Sequence, residues 1–174
     1  FSKEENGDFI YVATTLTEAM LDAHSMGEVA IYKLNAANGS VVWKKPFACH
    51  NVDGVEGGIL ATGVLGQGAI EGQIIYSVSR TPGLSSGYLV SLDTKTGESV
   101  WLTELTDYAW SSTVALTSQI GAVYLVQCCS DGTVLLLNGA NGTVLDSITL
   151  NTTLEATPAV FGNTINNLIS DETE

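Results

Sequence analysis

The sequence predicts an all-β fold in which four-stranded sheets stack side by side as the blades of a propeller. One segment occurs three times, as IYKLNAANGSVVW (31–43), LVSLDTKTGESVW (89–101) and VLLLNGANGTVLD (134–146). The turn glycines Gly39, Gly97 and Gly142 are 58 and 45 residues apart. A repeat of about this length without helical periodicity is typical of propeller blades, which bury their faces only by stacking on neighbours.

Each copy is predicted to fold as a β-hairpin. The Asn or Asp in its centre can accept hydrogen bonds from backbone N–H groups two or three residues further on, which starts a turn. The Gly that follows can adopt left-handed backbone geometry, which costs a residue with a Cβ about 1 kcal/mol or more. The repeat motif comprises Leu34, Asn35, Gly39 and Trp43, then Leu92, Asp93, Gly97 and Trp101, then Leu137, Asn138 and Gly142.

Two further strand patterns precede the hairpins, so a complete blade has four strands, labelled A, B, C and D in chain order. Strand B carries a tyrosine, at Tyr11, Tyr76 and Tyr124. Strand A contains small hydroxyl-bearing residues, and its three copies are the segments 61–64, 112–115 and 156–159.

These patterns predict about three blades plus part of a fourth, which is a partial propeller. The chain opens in strand B of the first blade, at 9–12, where strand A is missing. It stops near 168–169, where strand B of a fourth blade is expected to begin. The predicted blades cover about residues 9–47, 57–105 and 110–150, and the fourth begins at about 154–170.

The motif L-D-x-x-T-G-x-x-x-W at 92–101, with an aromatic strand before it and a hydroxyl-bearing strand after it, resembles the repeat of PQQ-like β-propellers. That family includes quinoprotein dehydrogenases and non-enzymatic outer-membrane assembly lipoproteins, and the resemblance covers nearly all of the chain. It implies that the turn glycine closes the C–D hairpin and that Trp43 and Trp101 dock between adjacent blades. Asp146 departs from this pattern, as do Lys33, Ser91 and Leu136, which replace the family's usual Ala before the Leu.

Composition excludes several partners. The chain has 174 residues, with 19 acidic against 6 basic side chains and a net charge of −13. Such a field disfavours nucleic acid and anionic membrane surfaces. No apolar run approaches the roughly 20 residues that span a bilayer. Three cysteines, Cys49, Cys128 and Cys129, are an odd number and do not indicate a disulfide framework.

The B–C connections differ most between the blades. The first contains an insertion at 15–27 with the pattern of a helical turn or two, and the second contains a Pro/Gly/Ser loop at 80–87. A third irregular stretch lies at 50–58. Loops on a rigid scaffold often carry binding functions, so we expect a binding surface on the face where the B–C loops emerge.

The sequence indicates no catalytic, cofactor-binding or metal-binding residue. Cys128-Cys129 invites comparison with the vicinal disulfide of some quinoprotein alcohol dehydrogenases, but the carboxylates, Asn and Arg that such sites place around calcium and quinone have no matching motif here. His24 and His50 lie in no nucleophile motif, and Cys49-His50 has no second ligand pair nearby.

Three functions follow as hypotheses. The first is a non-catalytic binding or scaffold propeller outside the cytoplasm, with a protein or peptide partner and no cofactor. The alternatives are a fragment of a quinoprotein-like oxidoreductase and a carbohydrate-binding surface domain, in which Tyr88, Tyr108 and Trp110 would stack on sugars. In each case we expect the ring to be completed by a second copy or by further parts of the same polypeptide.

Overall fold

The computed structural model describes residues 2–4, 7–16, 26–51, 57–81 and 86–160. These residues form three antiparallel sheets of four strands each, which do not close a ring. The first sheet holds β1 (Ser2–Glu4), β2 (Gly7–Ala13), β3 (Met26–Asn35) and β4 (Val41–His50); the second β5 (Val64–Leu65), β6 (Gln73–Ser79), β7 (Gly87–Asp93) and β8 (Ser99–Glu104); the third β9 (Val114–Thr117), β10 (Val123–Cys128), β11 (Thr133–Asn138) and β12 (Val144–Thr149).

The strands of each sheet pair in chain order, as expected for propeller blades. A single short 3-10 helix, Gly68–Ile70, interrupts the otherwise all-β architecture of the described residues. The predicted fold class, a partial propeller of four-stranded blades, is therefore confirmed. Most of the insertion expected to form a helical turn lies outside the described residues, although Met26 and Gly27 belong to β3. In the described part of the chain, no helix is long and apolar enough to cross a membrane.

The three C–D turns have the same hydrogen-bond pattern. Backbone N–H groups of Ala37, Lys95 and Ala140 donate to the side-chain Oδ1 of Asn35, Asp93 and Asn138 at 2.8–2.9 Å. The turn glycines close each hairpin with φ angles of 72°, 74° and 73°. At Asp93, partial desolvation raises the pKa, but hydrogen bonds from Thr96 and Lys95 outweigh it and leave the pKa below its usual value.

Two tryptophans join neighbouring sheets through these turns. The indole Nε1 of Trp43 in β4 donates to the carbonyl oxygen of Thr94, in the turn of the second sheet, at 3.0 Å. The indole of Trp101 in β8 donates in the same way to Gly139, in the turn of the third sheet, at 3.1 Å. The buried Lys33 adds a second donor to the first junction, because its Nζ also donates to the Thr94 carbonyl, at 2.8 Å.

The turn glycines leave room for these indoles. A Cβ on Gly97 would lie 2.9 Å from the Trp43 ring, and one on Gly142 would lie 2.5 Å from the Trp101 ring. Gly39 has the same φ but nothing within 4 Å of the equivalent point. The glycine is therefore required twice over where a tryptophan docks, by its backbone angle and by the close approach of the ring.

Apolar side chains fill two layers between the sheets. One layer lies between the first and second sheets and contains Ile31, Ile74 and Val90. The other lies between the second and third sheets and contains Ile75 and Leu125. Ile74 and Ile75 face opposite layers because successive side chains of a strand point to opposite sides of its sheet. The middle sheet is consequently buried on both faces.

The tyrosines of the B strands are not structurally equivalent, which corrects the alignment predicted from sequence. Tyr124 pairs with Asn138 at the C–D turn, but Tyr11 pairs with Lys33 and Tyr76 with Val90. The positions equivalent to Tyr124 are Phe9 and Gln73, which pair with Asn35 and Asp93. An aromatic residue is a poor marker of register because it packs well at several positions of a strand.

The A strands begin later than predicted. β5 and β9 start at Val64 and Val114, after an extended segment that links the sheets through hydroxyl groups. The backbone N–H of Thr62 donates to Ser112 Oγ, and the N–H of Ser112 donates to Thr157 Oγ1. Residues 150–160 contain no strand, although Thr157 continues this ladder. The expected strand B partner near 168–169 lies outside the described residues.

The first sheet also differs from the prediction that strand B at 9–12 lacks a partner. β1 pairs with the beginning of β2, with Ser2 opposite Phe9 and Glu4 opposite Gly7. This short strand occupies the position of strand A. The sequence pattern did not reveal it because three residues are too few to show a strand periodicity.

We expect Gly142→Ala to lower the free energy of unfolding by about 3 kcal/mol, since it adds overpacking against Trp101 to an unfavourable backbone angle. Gly39→Ala is the matched control, with the same turn geometry and open space, and should cost about 1 kcal/mol. Urea unfolding measures both. Equal losses would show that the contact between the turn and the tryptophan contributes nothing.

Trp101→Ala should destabilise the protein by about 3–5 kcal/mol, because a buried indole is removed from the junction of two sheets. Trp101→Phe should cost less, since it keeps most of the packing and loses the hydrogen bond to Gly139, worth about 1 kcal/mol. Trp110→Ala, which truncates a partly exposed ring, serves as the comparison. The prediction fails if Trp101→Ala and Trp110→Ala shift the denaturation midpoint equally.

Candidate functional site

Five connections emerge at the same end of the sheets: β2–β3, β6–β7 and β10–β11, together with β4–β5 and β8–β9. We call this end the loop face. It includes the described parts of the predicted B–C insertions and of the irregular stretch at 50–58. Backbone bridges join these connections, because Gly58 pairs with both Thr15 and Ser79. These backbone bridges hold the connections against one another.

The β8–β9 connection is held firmly in place. The hydroxyl groups of Ser77 and Ser79, on β6, donate to the carbonyl oxygen of Ala109 at 3.2 and 3.0 Å. On the other side, the N–H of Ser130 donates to the carbonyl oxygen of Tyr108 at 2.9 Å. The connection therefore lies between the second and third sheets, and its side chains are presented in a defined position.

Arg80 lies at the end of β6 in an unusual backbone conformation. Its φ is 57°, and only one other non-glycine among the described residues has a positive φ, Asn151. Its carbonyl oxygen accepts a hydrogen bond from the His50 N–H, and its own N–H donates to the Ser86 carbonyl. Holding a residue in such a conformation costs about 1–3 kcal/mol of folding free energy, and residues of this kind concentrate at functional sites.

Arg80 belongs to an aromatic cluster with Tyr108 and Trp110. The guanidinium carbon lies 4.4 Å from the centroid of the Tyr108 ring, within the range of a cation–π interaction. The Tyr108 and Trp110 rings pack with centroids 5.3 Å apart. Both aromatic residues are partly exposed, whereas Arg80 is 8% exposed. The cluster thus has a buried polar base and an aromatic rim.

In this cluster the Trp110 indole Nε1 is buried without a hydrogen-bond partner. The hydroxyl Oγ1 of Thr81, the residue after Arg80, is also buried and has no partner. By contrast, the indole groups of Trp43 and Trp101 both donate to carbonyl oxygens. A buried donor left unpaired costs about 1–3 kcal/mol, so such atoms are rare in native proteins.

Carboxylates lie at the same end of the second and third sheets as the cluster. Asp107 accepts a hydrogen bond from the N–H of Tyr108, and Asp131 accepts hydrogen bonds from Thr106 and Thr133. Glu104 lies exposed at the end of β8. Among the described residues, these three carboxylates form no ion pair with a lysine or arginine. This end of the second and third sheets therefore carries several negative charges.

The structure brings together two of the three aromatic residues considered for sugar stacking. Tyr108 and Trp110 are in contact, whereas Tyr88 lies on β7 opposite Val78 and Glu104. Sequence reasoning placed Arg80 only at the start of a loop and did not select Thr81. Arg80 is the only arginine in the sequence, and this was the available signal.

The cysteines are free and buried. Burial raises the pKa of the Cys49 thiol to about 12. Burial also raises the pKa of Cys128, with a further contribution from Cys129. The pKa of Cys129 is raised by burial as well, despite opposing hydrogen bonds at Thr106 and Asp107. Thiols in this state are poor nucleophiles and poor metal ligands.

The residues described here do not fit a quinone–calcium site. A cleft of about 270 Å³ lies between β5 and β9. Its lining has no charged side chain: Val64, Leu65, Gln67, Thr113, Val114, Ala115, Thr117 and Val123. In the described ranges, no three His, Cys, Asp or Glu side chains come close enough to hold a metal ion. Calcium requires several oxygen ligands, which this cleft does not supply.

Comparison with solved structures shows the fold. Quinohemoprotein alcohol dehydrogenase from Comamonas testosteroni superposes with a TM-score of 0.57 at 11% identity, over 80% of this chain and 27% of that chain. Sqt1 from Saccharomyces cerevisiae gives a TM-score of 0.50 at 13% identity, over 91% of this chain and 40% of that one. The chain therefore spans well under half the length of these two proteins. No curated protein matches its sequence.

A match to a protein-family model shows which family the chain belongs to. The model described as "Outer membrane protein assembly factor BamB" matches residues 25–171, which is most of the chain. BamB from Moraxella catarrhalis is also among the similar structures, at 13% identity over 76% of this chain and 64% of that chain, with a TM-score of 0.27. The repeat and the four-stranded sheets agree with the family-model match over residues 25–171, and the chain belongs to the BamB-like family of PQQ-like repeat β-propellers.

Proposed function

We propose that this chain is a non-catalytic binding propeller that acts outside the cytoplasm and binds a protein partner through its loop face. The cluster of Arg80, Tyr108 and Trp110 is the observation that carries this proposal. Arg, Tyr and Trp are the residues most enriched where protein interfaces gain their binding energy. The hydrogen bonds from Ser77, Ser79 and Ser130 hold the β8–β9 connection rigidly, so little conformational entropy would be lost on binding.

The family supports the same proposal. The matching model is named for an outer-membrane protein assembly factor, a description that implies contact with other proteins and a location beyond the cytoplasm. The excess of acidic side chains adds to this support, because an acidic surface favours a protein with a complementary basic patch over nucleic acid.

The alternative of an oxidoreductase fragment has less support. Such a site would need reactive thiols or a charged cavity for the quinone and its calcium ion. The thiols of Cys128 and Cys129 are buried with raised pKa values, and the cleft between β5 and β9 is lined by uncharged residues.

We also propose that the ring is completed by further parts of the same polypeptide rather than by a second copy. Gly39 forms a turn like those of Gly97 and Gly142, but nothing lies within 4 Å of the point where a docking indole would be. A second copy would present Asp146 there, since this residue pairs with Leu136 just as Trp101 pairs with Ser91. A carboxylate has no N–H to donate to a turn carbonyl.

Site-specific photo-cross-linking in the cells of origin tests the binding face. A benzophenone amino acid at Asp131, on the loop face, should give a covalent adduct with a protein. The matched control has the same amino acid at Lys95, an exposed turn residue at the opposite end of the sheets, and should give none. A result with adducts only from Lys95, or with a glycan as the captured molecule, would contradict the proposal.

A thiol assay separates the binding protein from the oxidoreductase fragment. We expect the native protein to react slowly with a disulfide reagent at pH 8, because raised pKa values keep the thiols of Cys49, Cys128 and Cys129 protonated. All three should react rapidly in urea. Rapid reaction of the native protein, or a mass that reveals a Cys128–Cys129 disulfide, would favour the oxidoreductase.

Added pyrroloquinoline quinone with calcium provides a second test of the same alternative. We expect no change in melting temperature, because the cleft between β5 and β9 has no cation to bind the quinone and the described residues include no group of metal ligands. EDTA should likewise leave the melting temperature unchanged. A rise with quinone or a fall with EDTA would require a cofactor site and overturn the non-catalytic assignment.

A further inference from the structure

We propose that the turn at residues 35–39, together with the apolar face of the first sheet beside it, is a receptor for a β-sheet that carries a tryptophan on its outer strand. This inference rests on the proposed completion of the ring by further parts of the same polypeptide. It deepens that proposal, because it names the surface, the side chain that fills it and the atom that binds this side chain.

The two internal junctions show what such a receptor binds. In each, a turn carbonyl accepts the indole N–H of the preceding sheet's tryptophan, at Thr94 and at Gly139. The turn glycine lies against the ring, because an added Cβ would come within 2.9 Å of Trp43 at one junction and 2.5 Å of Trp101 at the other. An indole over a glycine turn is therefore the contact by which this protein joins one sheet to the next.

The first sheet has the same turn without an indole. Ala36 holds the position that Thr94 holds in the second sheet. The φ of Gly39 is 72°, and in the described part of the chain no atom lies within 4 Å of the point where its Cβ would be. Residues 37–40 are exposed and Ala36 is partly exposed, so this turn is open to a side chain from outside.

The sheet face beside this turn is exposed where the equivalent faces are buried. Ile10 has the register position of Ile74 in the second sheet and Leu125 in the third, because each pairs with the Leu of the repeat motif. Ile10 is 39% exposed, whereas Ile74 and Leu125 are 1% and 0% exposed. Val12 is also 39% exposed, whereas its equivalent Tyr76 is 4% exposed. A further sheet would bury this face as the first and second sheets bury the faces of their neighbours.

The tryptophans of this sequence do not supply the missing indole. Trp43 and Trp101 are used at the internal junctions, and Trp110 stacks on Tyr108 at the opposite end of the sheets from the C–D turns. A second copy would present Asp146 to the receptor. Its carboxylate would bring a negative charge towards a carbonyl oxygen and has no N–H to donate, so Asp146 disfavours self-association and leaves the receptor to another sheet.

A hairpin taken from the chain provides the probe. It is a synthetic peptide of residues 87–104, which comprise β7, β8 and their turn. A disulfide between added terminal cysteines closes it, so that Trp101 is held on a strand as in the protein. The peptide should shift the amide signal of Gly39 in the NMR spectrum of the 15N-labelled full chain. The signals of Gly97 and Gly142 should stay in place, because their turns already hold an indole.

Variants of the peptide and of the protein test the contact itself. Trp101→Phe in the peptide removes the N–H donor and should weaken binding about fivefold, the effect of one lost hydrogen bond. Gly39→Ala in the protein should weaken binding about tenfold or more, because its Cβ would stand where an indole lies at Gly97. Gly121→Ala is the matched control and should bind normally, since Gly121 has a φ of 84° and open space but lies in the β9–β10 turn.

Three results would overturn the inference: an unshifted Gly39 signal, equal binding of a Trp101→Ala peptide, and full binding by the Gly39→Ala variant. Sedimentation of the free chain separates this inference from the proposed completion of the ring. A monomer whose Gly39 signal does not respond would leave ring completion standing and reject only the receptor. A dimer joined through the Gly39 turn would reject both, because a second copy would then fill the receptor without a tryptophan.

Discussion

The hydrogen bond from a tryptophan indole to the carbonyl of the next sheet's turn is the contact on which the rest of this structure depends. A single four-stranded sheet cannot bury its own faces, so each must be aligned on its neighbour. The indoles of Trp43 and Trp101 set that alignment at two successive junctions. The turn glycine allows the approach because it has no Cβ, and the apolar layers then close behind the contact.

That alignment also creates the loop face. Once the second and third sheets are aligned, the β8–β9 connection is held between Ser79 and Ser130. The stack of Arg80, Tyr108 and Trp110 is therefore a product of two sheets rather than of one loop. Its strained backbone and unpaired indole N–H cost stability, which is tolerable because the core on either side is dense.

Local features of the chain were predictable. The three C–D turns follow from an Asn or Asp and a Gly at fixed spacing, since both residues act within a few positions of themselves. The strand order followed from the repeat. The register of strand B was not predictable from Tyr11, Tyr76 and Tyr124, because it depends on which side chains face each layer of the core. The start of strand A was also missed, since hydroxyl contacts between sheets extend the segment before the first ladder pair forms.

By itself the sequence determined the repeat, the all-β class, the turn chemistry, the family resemblance and the acidic character of the protein. Each of these depends on residues close together in the chain or on composition alone. Only the tertiary structure decided that Tyr108 and Trp110 stack beside Arg80, and that the Trp110 indole N–H is buried without a partner. These residues lie on different connections, and packing of the second and third sheets is the physical cause that brings them together.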